Sequence, residues 1–442
     1  MKVFQVLNDC QIMVGEDITE TFTKGKFYIA SEDYFSKLSM FIGGAVGIEI
    51  PFSEVYNKYE GQDLNGKKLF AMRHGGGGDI LFMLTALREI KRKYKDSKIS
   101  IAIREQYNGL VLKRIGREKE RTGITDQDRI DQSDSEIPFK EVPLNTYLNT
   151  NLKNQNHKDK FSLRSEREKE SILSSRSSIE SDKTDKSNEQ NDLIDKVYSL
   201  PIPLDIWNQY HYHLTFENLI ENNPNAKKYN AYDLFMKQAG LDIKQVPPEN
   251  KIPIIELEED EKRFKCMEFP HLVNENPKVG IQVKTSSPIR TYPPYNYIAI
   301  SQKLIKKGYD VCFFGGIDEY SFVEQLIKEI GIGSYNVTQR SLRGSVITAS
   351  MMNFFIAPDS MFIHIAGAFR IPTIGIYGPF HSETRMKYMK NSVGIDIKVG
   401  CSPCFLHGHQ PCPKGDPSPC FSLVSPDIVL EAFDRLEEKV NV

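Results

Sequence analysis

Apolar and polar positions divide the chain into three kinds of segment. Residues 1–62 carry short alternating runs, VFQVL and KFYIA, followed by a mixed stretch with small residues at Gly43–Gly47. This pattern predicts a small N-terminal module containing β-strands. At Lys67 the pattern changes. KKLFAM reads as a strand, RHGGGGD as a tight loop, and ILFMLTALREIKRKY as an amphipathic helix whose basic end suits the helix dipole. KISIAI adds a second strand. A strand, loop, helix and strand in that order predict the start of a parallel sheet.

Beyond Leu112 the periodicity disappears. Residues 115–192 are rich in Ser, Asp, Glu, Lys, Asn and Gln. Such a segment buries too little apolar surface to offset its ordering entropy, so it is expected to be a disordered insertion. Its Asp126-Gln127-Asp128 resembles the acidic triplet of metal-dependent sugar transferases, but no strand precedes it, and chance explains it. Residues 63–114 and 193–245 are expected to form one α/β domain, and Pro-rich 246–275 a linker. From 276 to 425 strand and helix patterns alternate: KVGIQV, a helix near Tyr297–Lys307, DVCFF, helices from Glu319 and near Leu342–Met351, NFFIA, a helix around His364, and TIGIY. A terminal helix covers 426–442. The fold class is α/β, with two Rossmann-like, doubly wound domains facing a cleft beyond their strand ends.

Composition narrows the setting. Hydrophobic residues make up 40% and charged residues 26%, which suits a soluble globular chain. The formal charge of −2 offers no general basic surface for phosphate neutralisation, so no nucleic-acid partner is expected. No apolar run is long enough to span a bilayer, and MKVFQVLNDCQIMVG lacks the pattern of a secretion signal. The expected location is cytoplasmic.

Five places carry candidate chemistry. Gly75, Gly76, Gly77 and Gly78 run into Asp79 between a strand and a helix. The glycines permit close backbone approach, and the helix start offers free N–H groups. The spacing matches neither the dinucleotide fingerprint nor the P-loop, and Asp79 fits a helix N-cap as well as a functional acid. Asp359, Ser360 and Met361 open a helix that carries His364 one turn on; a core histidine is the alternative reading there. Thr285, Ser286 and Arg290 follow KVGIQV, where hydroxyls and a guanidinium suit a pyrophosphate. Glu319 follows DVCFF-Gly315-Gly316 and either accepts a ribose hydroxyl or serves as a favourable first-turn acid. Cys401-x2-Cys404-x7-Cys412-x7-Cys420 has metal-type spacing, with His407 and His409 inside the loop. A structural zinc or iron ion is expected on those thiolates.

Taken in order, these pieces resemble glycosyltransferase family 9, the ADP-heptose heptosyltransferases of lipopolysaccharide synthesis and their relatives. GGGGDILFMLTALREIKRKY is similar to the family's first strand-loop-helix, and APDSMFIHIAGAFRIPTIGIYGPF to its most characteristic C-terminal segment. SLRGSVITAS and CSPC stand at the expected places. The C-terminal cysteine knuckle resembles that of autotransporter heptosyltransferases. Two positions depart from the pattern: Met361 stands where glycine is common, and Arg290 where lysine is frequent.

The resemblance implies a GT-B fold and an inverting transfer that needs no catalytic metal. The donor is a nucleotide sugar, ADP-heptose by family. The acceptor hydroxyl belongs to a glycan, a lipid-linked sugar or a protein, and a lipid-linked acceptor entails peripheral membrane contact. Asp79 is then the general base. Thr285, Ser286, Arg290 and the helix start at Asp359–Met361 hold the diphosphate. Glu319 holds the ribose, and His364 orients phosphate or sugar. A nucleotide-sugar-binding protein without catalysis, another GT-B enzyme such as an epimerase, and an interaction scaffold are the alternatives. The sequence does not address oligomeric state.

Overall fold

The computed structural model describes residues 1–13, 19–32, 34–36, 38, 46–111, 193–220, 223, 226, 229–339, 341–404, 412–415 and 417–440. The expected insertion at 115–192, with Asp126 and Asp128, lies outside the described residues, as do His407 and His409.

Strands β1 (Lys2–Val6), β2 (Cys10–Met13), β3 (Thr19–Phe22), β4 (Phe27–Ala30) and β5 (Val46–Ile50) form the N-terminal module. All its pairings are antiparallel, with β1 between β4 and β5, and β2 paired to β3 as a separate ribbon.

Next comes β6 (Lys68–Met72), helix α1 (Gly77–Lys93) and β7 (Lys98–Ile103), then β8 (Lys196–Ser199), β9 (Ile202–Pro203) and β10 (Tyr212–Thr215). The parallel sheet runs β10-β6-β7-β8. In β6, four of five residues are buried because both sheet faces are covered, which is why KLFAM shows no alternation. One cover is α1. The other is the N-terminal module: Val3 and Ile29 pack with Phe70, Met72, Ala102 and Trp207. Strand β9 pairs with β4, so a segment expected in the Rossmann-like half completes the antiparallel sheet instead. The Trp207 ring stacks on His213 at 4.0 Å, and its indole donates to the Val55 carbonyl at 2.7 Å.

Helix α2 (Ala231–Gln238) is capped by Asn230, whose side chain accepts from the Tyr232 amide. The expected linker contains a helix, α3 (Glu259–Glu268). Its start is closed by Glu258 and Glu261 in a reciprocal capping box. Glu261 also takes two bonds from Arg343, at 2.8 and 2.7 Å, which ties this segment to the next domain.

The C-terminal domain comprises β11 (Lys278–Gln282), α4 (Asn296–Lys306), β12 (Asp310–Phe314), α5 (Tyr320–Ile330), β13 (Ser334–Asn336), α6 (Leu342–Ala349), β14 (Phe354–Pro358), α7 (Met361–Ala368), β15 (Thr373–Tyr377), β16 (Ser392–Asp396) and α8 (Pro426–Val440). Its six parallel strands run β13-β12-β11-β14-β15-β16. The order reverses beside β11, and such a switch point opens a crevice at the strand ends. Helix α8 packs within this domain, with Phe433 against Tyr309 and Phe354.

The two Rossmann-like halves are packed together, and one apolar cluster includes Phe82 and Tyr232 from the first with Phe362 and Ile363 from the second. Polar bonds cross the same seam. Tyr388 donates to Asp233 at 2.6 Å, and Asp233 also accepts from Lys251 at 2.8 Å. Asn230 donates to the Glu383 carbonyl at 2.9 Å.

Candidate functional site at the facing strand ends

The glycine run leaves β6 and turns into α1 with Gly76 at the N-cap, so Asp79 is the third helical residue and not the cap. The Asp79 carboxylate instead meets Arg73, whose guanidinium donates to Oδ2 at 2.7 Å. Arg73 is only 2% exposed and also lies 3.4 Å from Glu217, which follows β10. Glu217 accepts from the His74 amide at 2.7 Å. Burial acts to raise the Glu217 carboxyl, but His74 and Arg73 outweigh it and bring it below its ordinary value. Burial lowers His74, so that imidazole is held neutral despite Glu217. Gly75 is required by this ion pair: a Cβ there would fall 2.3 Å from both Arg73 Nε and Asp79 Oδ2.

Across the seam stands α7. Ser360 occupies its N-cap, yet the hydroxyl does not cap the helix and donates to Gln282 Oε1. The first amides of α7 are therefore left without a side-chain cap, as an anion site requires. Asp359, 3% exposed, faces two cations: Arg290 Nη1 at 3.6 Å and Arg385 Nε at 3.4 Å. Arg290 also donates to the Asp359 carbonyl at 3.0 Å and to Ser286 Oγ at 3.3 Å. Thr285 spends its hydroxyl on the loop itself, donating to the Ser287 carbonyl at 2.7 Å. Thr285 thus shapes the turn that presents Ser286 and Arg290. Glu319 accepts from the Gly316 amide at 3.1 Å, and burial raises its carboxyl while that N–H bond opposes the rise.

Met361 and His364 join the two halves. Met361 packs over Gly77 so closely that a Cβ on that glycine would fall 2.0 Å from its sulfur. His364 is 2% exposed; its Nδ1 shares a hydrogen bond of 3.0 Å with the Tyr232 hydroxyl, and the Phe82 ring lies edge-on at 4.6 Å. Burial pushes the imidazole down to about 4, against the opposite pull of Asp359 and Asp79. It is a neutral joint residue whose Cδ2 edge faces Gly78.

Asp79 and the α7 start thus come together across Gly77 and Met361, with Arg290, Ser286 and Asp359 grouped on the far side. Arg73, Glu217, Tyr232 and Arg385 are additions to the sequence reading. Arg73 stood just before the glycine run, separated from it by His74, and a charged residue closing a strand at its ligand end was the available signal. Glu217 held a comparable place after YHLT. Arg385 lies in a one-turn helix, which leaves no periodicity to read.

The cysteines lie beside this region. A Cβ on Gly378, just past β15, would fall 2.6 Å from Cys420 Sγ. Cys412 Sγ accepts from the Lys414 amide at 3.5 Å. Burial raises the Cys420 thiol, and Cys404 and Cys412 push the same way. Their chemistry suits a thiophilic ion, although among the described residues no three ligating side chains converge on one point.

Two α/β domains with parallel sheets, joined face to face at their strand ends, define a GT-B architecture. Residues 227–412 match the family described as Glycosyltransferase family 9 (heptosyltransferase). The chain is 26% identical over 156 residues to lipopolysaccharide heptosyltransferase 2 of Salmonella typhimurium, covering 34% of this chain and 43% of that protein. The same protein of Escherichia coli matches with the same identity and coverage. The chain therefore matches less than half the length of these curated relatives. Among solved structures, the E. coli ADP-heptose lps heptosyltransferase II superposes with a TM-score of 0.53 at 16% identity, over 85% of this chain and 100% of that one. A family 9 glycosyl transferase from Veillonella parvula superposes with a TM-score of 0.51 at 14% identity, over 86% and 99%. The chain thus resembles glycosyltransferase family 9 in sequence over residues 227–412 and these solved structures in fold through both domains. No helix among the described residues is long and apolar enough to cross a membrane.

Proposed function

We propose that the chain is an inverting, metal-independent glycosyltransferase that moves a heptose from ADP-heptose to a hydroxyl of a glycan, a lipopolysaccharide-type lipid or a protein. The observation that carries this reading is the placement of Asp79: one carboxylate oxygen is fixed by Arg73, and the loop holding it abuts the α7 start. The donor follows from what the matched relatives are named for.

Asp79 Oδ1 removes the acceptor proton as the acceptor oxygen attacks the anomeric carbon. The bond from that carbon to the phosphate oxygen breaks, and the electron pair leaves with the nucleoside diphosphate. Arg290, the α7 amides and the Ser286 hydroxyl receive the growing charge, which is the task a magnesium ion performs in other transferases. Asp359 positions Arg290, Thr285 shapes its loop, Glu319 binds the ribose, and His364 keeps α7 against the acceptor side. A cytoplasmic setting accompanies this reading, with peripheral membrane contact for a lipid-linked acceptor. Cys401, Cys404, Cys412 and Cys420 hold a structural zinc or iron ion that fixes the knuckle beside Gly378. Their metal-type spacing along the chain supports that part.

Asp79→Asn tests the assignment. ADP-heptose should still raise the melting temperature while transfer falls by roughly 10²–10⁴-fold, the usual contribution of a general base. Undiminished transfer by the variant refutes the role of Asp79. Donor binding with no transfer by the wild type, across glycan and protein acceptors, would favour a binding protein.

A further inference from the structure

We propose that Glu217 is a positioning residue for the transfer reaction, acting on Asp79 through Arg73. The inference rests on the transferase reading above and deepens it at the same site.

Among the described residues, Arg73 pairs with both carboxylates. It is 2% exposed, it touches Asp79 at 2.7 Å and Glu217 at 3.4 Å, and each carboxylate is itself largely shielded, with side-chain exposures of 16% and 15%. A guanidinium given wholly to Asp79 would stabilise its charged form and make it a poor proton acceptor. Shared with Glu217, the same cation orients Asp79 while part of its field is offset by the second carboxylate. The arrangement separates two requirements of a general base, fixed direction and adequate basicity.

The surrounding elements are consistent with that division. Glu217 enters from the chain after β10, and its other oxygen is engaged by the His74 amide, so its position is set independently of Asp79. His74 itself, beside Glu217, is neutral because it is buried. Arg104, at the end of β7, acts on His74. His364 faces Asp79 from α7 and is neutral as well. Among the described groups around Asp79, Glu217 is thus the charge placed to moderate Arg73.

Glu217→Gln removes the charge and keeps an oxygen for the His74 amide. Its kcat should fall roughly three- to tenfold with KM for ADP-heptose unchanged, because the loss is in proton transfer and not in donor binding. Glu217→Asp, which restores the charge, should recover kcat toward the wild-type value. A purely structural role for Glu217 lowers stability and leaves kcat of the folded enzyme unchanged, and that result overturns the inference. If the Gln variant does not fold, Arg73→Lys asks the same question. An ammonium reaches fewer acceptors at fixed angles than a guanidinium, so kcat should drop with donor KM preserved, and an unchanged kcat is the contrary result. Wild-type protein without transfer activity would sink the transferase reading itself. An active wild type with an unaltered Gln variant sinks only the role of Glu217.

Discussion

Replacing Gly77 by alanine probes the contact on which the site depends. A Cβ at this position would lie 2.0 Å from Met361 Sδ, 3.1 Å from Met361 Cγ and 3.3 Å from Tyr107 Cε1. Nonbonded heavy atoms settle at roughly 3.5–4.0 Å, so the sulfur must retreat by about 1.5–2 Å. Met361 packs against the shared apolar cluster, and such overpacking costs about 1–3 kcal/mol. Alanine recovers no more than about 1 kcal/mol by its helix propensity, and less at the first helical position. The net loss should be about 1–2 kcal/mol in urea denaturation, with reduced transfer because the α7 start shifts relative to Asp79. The decisive measurement is a double-mutant cycle with Met361→Ala, which empties the space the new methyl needs. The Gly77→Ala penalty should vanish or reverse in that background. An equal penalty in both backgrounds would show that Gly77 is needed for some reason other than its contact with Met361.

Two further outcomes follow from the same structure. His364 has a folded value of about 4 against an ordinary 6.5, so below pH 6.5 the unfolded chain takes up a proton that the folded chain refuses. Stability is therefore lost as pH falls from 6.5 toward 4, by an amount on the order of 3 kcal/mol, and His364→Phe should flatten that part of the stability profile. His271, also lowered to about 4 by burial, keeps its own share of the slope. Metal analysis of purified protein should find zinc or iron, and a Cys401→Ser/Cys404→Ser double variant should lose it; equal content in both would reject the site.

The fold was legible where strands and helices were long and buried. KLFAM, KISIAI, DVCFF, FFIAP and TIGIY all form strands of the two parallel sheets, because residues buried on both faces must be apolar throughout. Short edge elements were not. Ser334–Asn336 and Ser392–Asp396 sit at the two ends of the six-stranded sheet, where one side lacks a neighbour and the sequence need not be apolar. Helix α3 was hidden inside a charged stretch, since its start is fixed by carboxylates and not by an apolar stripe. At the site, the glycine run and the Asp359–Met361 turn were visible as local motifs. The links between them were not. Arg73 meets Glu217 and His364 meets Tyr232 only after chain segments 144 and 132 residues apart have been brought together.

The strand order of the first parallel sheet also bears on how the protein emerges from the ribosome. Strand β6 is central, with β7 on one side and β10 on the other. The first neighbour follows within one helix, but the second is not synthesised until Tyr212–Thr215. The same delay applies to β4, whose partner β9 arrives at Ile202–Pro203. During that interval a nascent chain presents three open strand edges, on β4, β6 and β7, and an apolar sheet face, the features that invite pairing with other chains. Translation from Lys196 to Thr215 supplies all three partners, β8, β9 and β10, within a short span. The first domain is thus expected to keep its edges open for longer during synthesis than the second, where β11 waits only until Phe354–Pro358 for its second neighbour β14.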